Sequence, residues 1–411
     1  MKLKISLLAF ATILFTSVFA NPALRQVIVL NEGPFGGPVT VGSYNPNTHQ
    51  YSNFATVPAA FASAVIIDGS SIYVAADSLL LQFDLISKQL LHQVTVKGVR
   101  ELCVWNNQLL VTRADIASLP SYFQVYNKSD LSFVYELTNL SGRAAEVKVL
   151  NDSAYVAIND FGAMGKLAVI DLNNQTLSRE IDLGSNGLNP ESVNIYNGKV
   201  YTMSSPNWTD ISVSQLTPTG VQPQTTLLGV SSSCSASAMY MTNIFLQVSA
   251  ENKLRVYNTL SASIFDSLET NQTAYGMGID PVNAHLYCGV TDFTSTGKVF
   301  IYDFFGTAID SFEVNVSPGS FAFDVVNTTS IEDASSTVAF SMSPNPCNTN
   351  TSVFVQEVGT LSITNALGQV IREESLLSGR NEINTSTLAS GVYFLRVSNA
   401  KGSTVQKLVR Q

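Results

Sequence analysis

The chain has 411 residues, of which 45% are hydrophobic and only 13% are charged, about half the charged share of an ordinary soluble domain. With 22 Lys and Arg against 31 Asp and Glu, the formal net charge is −9, which argues against the basic face of a protein that wraps nucleic acid. Three histidines and four scattered cysteines leave little for a zinc site or a disulfide-stapled scaffold.

The first 20 residues predict a secretory signal peptide. Lys2 and Lys4 precede an apolar run over residues 5–15, and Val18 and Ala20 are small residues at the −3 and −1 positions of a cleavage site. The run is too short for a membrane anchor, and no later stretch reaches the roughly 18 apolar residues of a transmembrane helix. We therefore expect cleavage after Ala20 and no transmembrane segment.

Residues 21–327 repeat with a period of about 40 residues. Each unit has two apolar strands joined by a tight turn, and a third strand that ends in an apolar residue followed by Asp or Asn. These terminal pairs are Tyr44-Asn45, Phe83-Asp84, Tyr126-Asn127, Ile170-Asp171, Tyr257-Asn258 and Tyr302-Asp303. Asp and Asn suit this place because their side chains bond nearby backbone amides and close a turn. Four short strands per repeat predict a β-propeller blade.

Six complete blades are predicted to begin near residues 62, 100, 145, 190, 235 and 275. A seventh blade is composite: segments 26–30, 39–44 and 50–55 supply three strands, and 321–326 supplies the innermost one. Joining the chain ends in one blade closes the ring and removes exposed edges. The predicted fold is therefore all-β, a seven-bladed β-propeller over 21–327 followed by a small β-sandwich. Six blades, with the first segment outside the ring, is the alternative.

The repeat and the opening Val29-Leu30-Asn31-Glu32-Gly33 resemble the YncE-like (YVTN-type) surface propellers of Bacteroidetes. The resemblance extends over about 300 residues. It implies a propeller displayed at the cell surface. Some of these relatives bind corrinoids, which makes a corrinoid-type ligand one implied candidate, and many have no known ligand.

Charge separates a second module at the C-terminus. Residues 21–339 hold 14 basic and 27 acidic residues, a net of −13, whereas residues 340–411 hold 6 and 4, a net of +2. The small, polar residues 328–339 between the two are predicted to form a linker. Short apolar runs, broken by turn residues, predict a β-sandwich; they lie at 353–355, 361–363, 370–371, 392–397 and 405–409.

The motifs of this second module are specific. They are, in order, Ser343-Pro344-Asn345-Pro346, Ile363-Thr364-Asn365-Ala366-Leu367-Gly368-Gln369-Val370, Gly379, Gly391-Val392-Tyr393-Phe394 and Lys407. Residues 340–411 therefore resemble the C-terminal sorting domain (type A) of the type IX secretion system of Bacteroidetes. The resemblance implies contact with the secretion machinery, passage through the outer membrane, removal by a sortase, and surface attachment or release. An accessory carbohydrate-binding sandwich is the alternative.

Five loops between second and third strands are long, at 31–38, 113–121, 159–166, 204–210 and 290–297. Binding residues usually sit on loops held by a rigid scaffold, so this face is the candidate ligand site. Aromatic residues can stack there on a sugar or a planar ligand, and polar ones can hydrogen-bond. The aromatic candidates are Phe35, Tyr122, Phe161, Trp208 and Phe293, and the polar ones are Asp115, Asn159, Asp160, Asn207, Asp210 and Asp292.

Three glutamates, Glu101, Glu146 and Glu191, are predicted to occupy equivalent positions at the mouth of the innermost strand in consecutive blades. Arg100 and Arg143 lie beside two of them. One interpretation is an arc of carboxylates that makes the mouth acidic and binds a cation or a polar ligand. The alternative is a repeated structural bond from each carboxylate to the backbone amides of the next blade. No cofactor is predicted, although calcium would need only several oxygen ligands.

Catalytic signatures are weak. The sequence has no serine nucleophile elbow, phosphate-cradling glycine loop or paired acid–base motif, and His49, His92 and His285 fall in different blades. Cys103 is predicted to be core, and a disulfide between Cys234 and Cys288, in adjacent blades, is left open because the compartment permits it.

We therefore expect a secreted, monomeric, surface-displayed propeller that captures a small ligand or a glycan and is not an enzyme. Two alternatives remain. One is a lactonase-like propeller enzyme acting on an extracellular substrate, and the other is a protein-interaction platform of the envelope.

Overall fold

The structure is a computed structural model that describes residues 21–411, except 115, 117, 161, 218, 219, 221, 329–337, 366, 367, 400 and 401, and except the side chains of 21, 232–235, 327 and 328. The predicted signal peptide and most of the predicted linker lie outside the described residues. The chain divides into two compact units, Leu24–Val325 and a C-terminal unit that starts at Val326.

The first unit contains seven four-stranded antiparallel sheets, each of which is one blade. Blade 1 has β4 (Ala62–Asp68), β5 (Ser71–Ala76), β6 (Leu79–Asp84) and β7 (Leu90–Thr95). Blade 2 has β8 (Val99–Trp105), β9 (Gln108–Arg113), β10 (Phe123–Asn127) and β11 (Phe133–Leu137). Blade 3 has β12 (Arg143–Leu150), β13 (Ser153–Asn159), β14 (Gly165–Asp171) and β15 (Thr176–Asp182).

The next three blades follow the same order. Blade 4 has β16 (Pro190–Tyr196), β17 (Lys199–Ser204), β18 (Ser212–Leu216) and β19 (Gln224–Leu227). Blade 5 has β20 (Ser232–Tyr240), β21 (Asn243–Val248), β22 (Leu254–Asn258) and β23 (Ser263–Leu268). Blade 6 has β24 (Gly276–Asp280), β25 (His285–Val290), β26 (Lys298–Tyr302) and β27 (Ala308–Glu313). Two short 3-10 turns, Ser185–Gly187 and Pro206–Trp208, lie before β16 and β18.

Blade 7 joins the two ends of the propeller. Its strands are β1 (Asn21–Asn31), β2 (Val39–Asn45) and β3 (Gln50–Val57) from the start, and β28 (Pro318–Thr328) from the end. The strand order is β28-β1-β2-β3, so the last strand is the innermost one. The composite seventh blade is therefore confirmed, and the six-bladed alternative is wrong.

Apolar residues of adjacent blades interlock and close the ring. One core cluster joins β1 to blade 1 through residues such as Ile28, Leu30 and Ile72. Another joins β1 and β2 to blade 6, where the rings of Tyr44 and Phe312 stack with centroids 3.8 Å apart. Blade 7 is thus packed on both sides, and burial of these side chains stabilises the closure by roughly 1.5–3 kcal/mol each.

The turn chemistry expected from the sequence is confirmed. The carboxylate of Asp84 accepts the backbone amides of Ile86 and Ser87 at 3.0 and 2.6 Å. The same bond is made by the other residues of the set, which are Asn45, Asn127, Asp171, Asn258 and Asp303. In the hairpins between first and second strands, Asn106, Asn151 and Asn197 take positive φ values of 52°, 49° and 48°, a conformation that Asn tolerates better than most residues.

The C-terminal unit contains two sheets, β29-β30-β33 and β32-β31-β34-β35. The strands are β29 (Phe340–Ser343), β30 (Asn350–Val355), β31 (Gly359–Asn365), β32 (Val370–Leu376), β33 (Gly379–Asn384), β34 (Gly391–Asn399) and β35 (Gly402–Arg410). Inward residues of both sheets, including Val353, Ile363 and Leu395, form one core. The predicted apolar runs are therefore strands.

Candidate functional site

The long loops lie at the end of the propeller where the innermost strands begin. They connect β1 to β2, β9 to β10, β13 to β14, β17 to β18 and β25 to β26, as expected. Of the loop candidates, Asp115 and Phe161 lie outside the described residues. Phe35 is fully exposed, and Trp208 and Phe293 are 53% and 55% exposed.

A cavity of about 710 Å³ opens at this end, and residues of all seven blades line it. We call it the funnel. Its size is within the range of small-molecule sites. The predicted residues on its wall are Arg100, Glu101, Arg143, Glu146, Asn159, Glu191 and Trp208. The funnel thus brings together seven of the predicted site residues.

Three other predicted residues make their contacts at the loops instead. Asp292 accepts the amides of Thr294 and Ser295 at 2.8 and 2.7 Å, and these bonds hold its pKa well below the usual range. Asp160 lies 3.4 Å from Arg143. Phe293 packs edge-on against Tyr275, with centroids 5.3 Å apart. These three line the loops and do not belong to the described wall of the funnel.

A repeated β-bulge aims the glutamates of blades 2 and 3. In β8 the pairing with β9 shifts between Val99 and Leu102, and in β12 the pairing with β13 shifts between Ala144 and Val147. Glu101 and Glu146 sit in these two bulges, which commonly re-aim a side chain. The backbone N–H of Glu101 donates to the hydroxyl of Thr112 at 3.0 Å, so the bulged amide is satisfied.

The predicted equivalence of Glu191 with the other two glutamates is wrong. Glu101 lies four positions before Trp105, the last residue before its hairpin turn, and the corresponding last residue in blade 4 is Tyr196. Counting back by the same number reaches Ser192, so Glu191 matches the position of Arg100. A slip of one residue changes the face on which a strand side chain points. Glu191 still lines the funnel, but the three carboxylates do not form a regular arc.

Both interpretations of the glutamates apply to Glu146. Its Oε2 accepts the backbone N–H of Val193 in blade 4 at 2.9 Å, which is the structural bond between blades. Its Oε1 lies 2.5 Å from Nζ of Lys148, and the carboxylate also lines the funnel. The charge of Glu146 raises the pKa of Lys148, so the ammonium group of Lys148 stays charged at neutral pH.

Glu101 has a different electrostatic environment. Burial, followed by the charge of Glu146, raises its pKa to about 7, although Lys148 and Arg100 act in the opposite direction. Glu101 therefore exchanges a proton near neutral pH.

Four residues on the wall were missed by the sequence analysis. Lys148 could have been found, because it follows Glu146 by two residues and a strand presents such pairs on one face. Glu32 and Tyr275 come from blade 7 and from the segment before blade 6, and the Tyr275 hydroxyl donates to Oε2 of Glu32. Ser204 ends β17 on the same wall. Their convergence depends on the ring, which no local pattern encodes.

Buried Asn189 positions two of the long loops. Its Oδ1 accepts the N–H of Gly162, and its Nδ2 donates to the carbonyl of Ser205 at 3.2 Å. The loops at 159–166 and 204–210 are therefore tied together, and Trp208 is held at the rim of the funnel.

A second cavity of about 350 Å³ lies further along the innermost strands. Cys103, Tyr196, Met239 and Met241 line it, and Lys148 lines both cavities. Cys103 is therefore half-buried on a cavity wall, not fully in the core as expected. Cys288 is a free, buried thiol; the side chain of Cys234 lies outside the described residues.

The described part of the chain also bears on metal sites and membrane spans. No group of three or more His, Cys, Asp or Glu side chains there is placed to hold a metal ion. No helix there is long and apolar enough to cross a membrane.

Comparison with known proteins identifies the class. Residues 341–411 match the family model of the secretion system C-terminal sorting domain. Two solved structures resemble the propeller. A functionally unknown protein from Desulfotomaculum acetoxidans DSM 771 has a TM-score of 0.57 at 13% identity, covering 73% of this chain and 98% of that one. The Cps50 (Swd1) β-propeller domain of Myceliophteria_thermophila has a TM-score of 0.52 at 12% identity, covering 71% and 99%. No curated protein matches the chain.

The chain is thus a β-propeller fused to a sorting domain. It is a secreted cargo of the type IX system, and the C-terminal domain directs it across the outer membrane to the cell surface or the medium. At 12–13% identity the structural likenesses show the fold alone.

Proposed function

We propose that the propeller is a surface-displayed binding protein, without catalytic activity, that captures a small polar ligand or a glycan in the funnel. The observation that carries this proposal is the funnel itself, a cavity of about 710 Å³ in which charged side chains and exposed aromatic rings from different blades converge. A concave site with a few convergent polar groups is the usual form of a small-molecule site. An interaction platform would instead present a broad apolar patch.

The finer family assignment belongs to this proposal. The YncE-like resemblance of residues 21–327 supports a surface propeller and makes a corrinoid one candidate ligand. Trp208, at the rim, supplies an indole face that can stack on a corrin, a sugar ring or another planar group. We further infer that a sortase removes the sorting domain after export, which leaves the propeller as the functional part.

The proposal is tested by a thermal-shift screen of the purified protein against corrinoids, glycans and divalent ions. Both tryptophans of the chain, Trp105 and Trp208, lie in the propeller, so tryptophan fluorescence reports the melting of that unit. We expect at least one hit, with an affinity reduced about tenfold by Trp208→Ala, in line with the loss of one stacked ring. Phe35→Ala is the matched control, because Phe35 is an exposed loop aromatic that does not belong to the funnel wall.

Two results would contradict the proposal. One is the absence of any shift together with recovery of an envelope protein in pull-downs, which would favour the platform. The other is turnover of a bound compound on prolonged incubation, followed by mass spectrometry, which would favour the enzyme.

A further inference from the structure

We propose that the funnel selects ligands that carry a primary ammonium group, and that Glu101 and Glu146 are the counter-ions that recognise it. This inference deepens the binding function proposed above and rests on it. It concerns the wall shared by blades 2 and 3, where both carboxylates line the funnel.

The geometry of the two inner strands carries the argument. The same bulge on neighbouring strands β8 and β12 turns both carboxylates toward the funnel, and Lys148 follows on the same face. Lys148 lies 2.5 Å from Glu146 and so balances one of the two negative charges. The second carboxylate, Glu101, shares the wall with these two groups.

The charged groups that face Glu101 are few. Arg100 comes from its own strand, and Glu146 and Lys148 come from β12. Arg100 lines the funnel as well, but its side chain is exposed to solvent, where water screens its charge. Burial and the charge of Glu146 together outweigh these cations and keep a proton on Glu101 up to a pH of about 7. A bound cation that replaces this proton would give Glu101 a counter-ion and so lower the free energy of its ionised form.

An ammonium group suits this wall better than an anion does. It needs only one to three acceptors, and aromatic faces attract it through the ring quadrupole. Trp208, Tyr275 and Phe61 line the same funnel. The wall also carries Ser204, which is 2% exposed and whose hydroxyl has no hydrogen-bond partner among the described residues. Arg143 also lines the funnel, and its guanidinium lies 3.4 Å from the carboxylate of Asp160, which balances its charge.

Binding of an ammonium group would release the proton of Glu101 to solvent. The ligand keeps its own proton because alkylamines titrate near pH 10. Affinity is therefore expected to rise with pH through about 7 and to level off above it. Between pH 6 and pH 8 the ionised fraction of Glu101 changes by about tenfold, which sets the expected change in affinity.

The test compares three probes with one aromatic body. Tyramine carries an ammonium group, 4-ethylphenol carries none, and 3-(4-hydroxyphenyl)propionate carries a carboxylate. Calorimetric titration of the full protein at pH 6 and pH 8 should show that tyramine binds at least about tenfold more tightly than the other two at pH 8, and that this preference shrinks at pH 6. Glu101→Gln should abolish the preference. Glu180→Gln, a carboxylate of β15 paired with Lys166, should retain it.

Each remaining outcome is decisive. Equal binding of tyramine and 4-ethylphenol, or preference for the propionate, overturns the ammonium proposal; if that binding still depends on Trp208, the binding function stands. If no probe binds and the earlier screen is also empty, both proposals fail. Should Glu101→Gln not fold, the pH dependence and the probe series in the unmodified protein still decide the question.

Discussion

Glu101 lies in surroundings that oppose its own ionisation. Its neighbours are Glu146, which repels it, and Lys148, which is already paired. Glu146, on the next strand, also binds the backbone of Val193 in the following blade. Glu146 therefore stabilises the contact between blades. Ionisation of Glu101, in contrast, costs free energy of folding, as is common for residues of binding sites.

This cost predicts the pH dependence of stability. A carboxyl whose pKa rises on folding, here to about 7, stabilises the folded state fully below the unfolded value and loses that contribution as the pH rises through 7. Glu101→Gln, which cannot ionise, should therefore raise Tm by a few degrees at pH 8 and leave it unchanged at pH 4. Melts followed by tryptophan fluorescence measure this.

The control variant, Glu180→Gln, should shift Tm in the opposite direction. Burial acts to raise the pKa of Glu180, but hydrogen bonds from Ser141 and Lys166 lower it overall. Glu180→Gln should thus lower Tm at neutral pH, with the loss disappearing in acid. Parallel behaviour of the two variants would show that general charge, and not the site, sets the effect.

At the level of the elements, one motif of the sorting domain has a clear physical role. Asn345, in the Ser-Pro-Asn-Pro segment, caps the outer edge of the last strand, β35. Its Nδ2 donates to the carbonyl of Lys407 at 2.7 Å, and its Oδ1 accepts the N–H of Val409 at 2.9 Å. Cys347 continues the cap by donating its N–H to the carbonyl of Val409 at 2.9 Å. An edge strand closed in this way is protected from pairing with other chains.

Removal of this cap should expose the edge. Asn345→Ala is expected to destabilise the sorting domain by about 1–2 kcal/mol, the net value of two hydrogen bonds, and to speed hydrogen exchange at the Val409 amide. Asn345→Asp keeps the acceptor and should preserve protection at Val409. Equal exchange rates in the two variants would refute the assignment.

At the level of the whole molecule, the ring is closed by polar contacts as well as by packing. Asp324, on β28, is 3% exposed. It accepts two hydrogen bonds from Arg25 on β1, at 2.6 and 3.1 Å, and one from Gln26 at 2.8 Å. These bonds join residues that are about 300 positions apart in the sequence. They therefore lie where the two ends of the propeller meet, which is where a ring of blades is most easily opened.

Breaking the closure contact should therefore lower the free energy of unfolding more than breaking a similar contact within one blade. Asp324→Ala is expected to cost about 2–3 kcal/mol, because it breaks hydrogen bonds to a charged, buried carboxylate. Glu251→Ala removes the two-bond pair with Arg255 inside blade 5 and should cost less than about 1 kcal/mol. Urea denaturation followed by tryptophan fluorescence measures both, and similar losses would contradict a special role for the closure.

Much of this architecture is local in origin and could be predicted. The alternation of apolar residues, the positive φ at Asn106 and Asn151, and the turns closed by Asp84 and its counterparts each depend on a few neighbouring residues. Seven blades and a composite closing blade follow from their repetition. The sorting domain follows from motifs that lie in order within 72 residues.

The blades and the sorting domain could be predicted from the sequence because both depend on short-range periodicity and turn chemistry, whereas the choice of seven blades over six needed the pairing of β28 with β1. The position of the site, in contrast, depends on the folded ring. Glu191 lies one position further from its hairpin turn than Glu101 and Glu146 do, and the ring brings Glu32, Lys148, Ser204 and Tyr275 to one funnel. Charge interactions and burial act through space, so the proton held by Glu101 depends on residues of another blade that no pattern along one strand reveals.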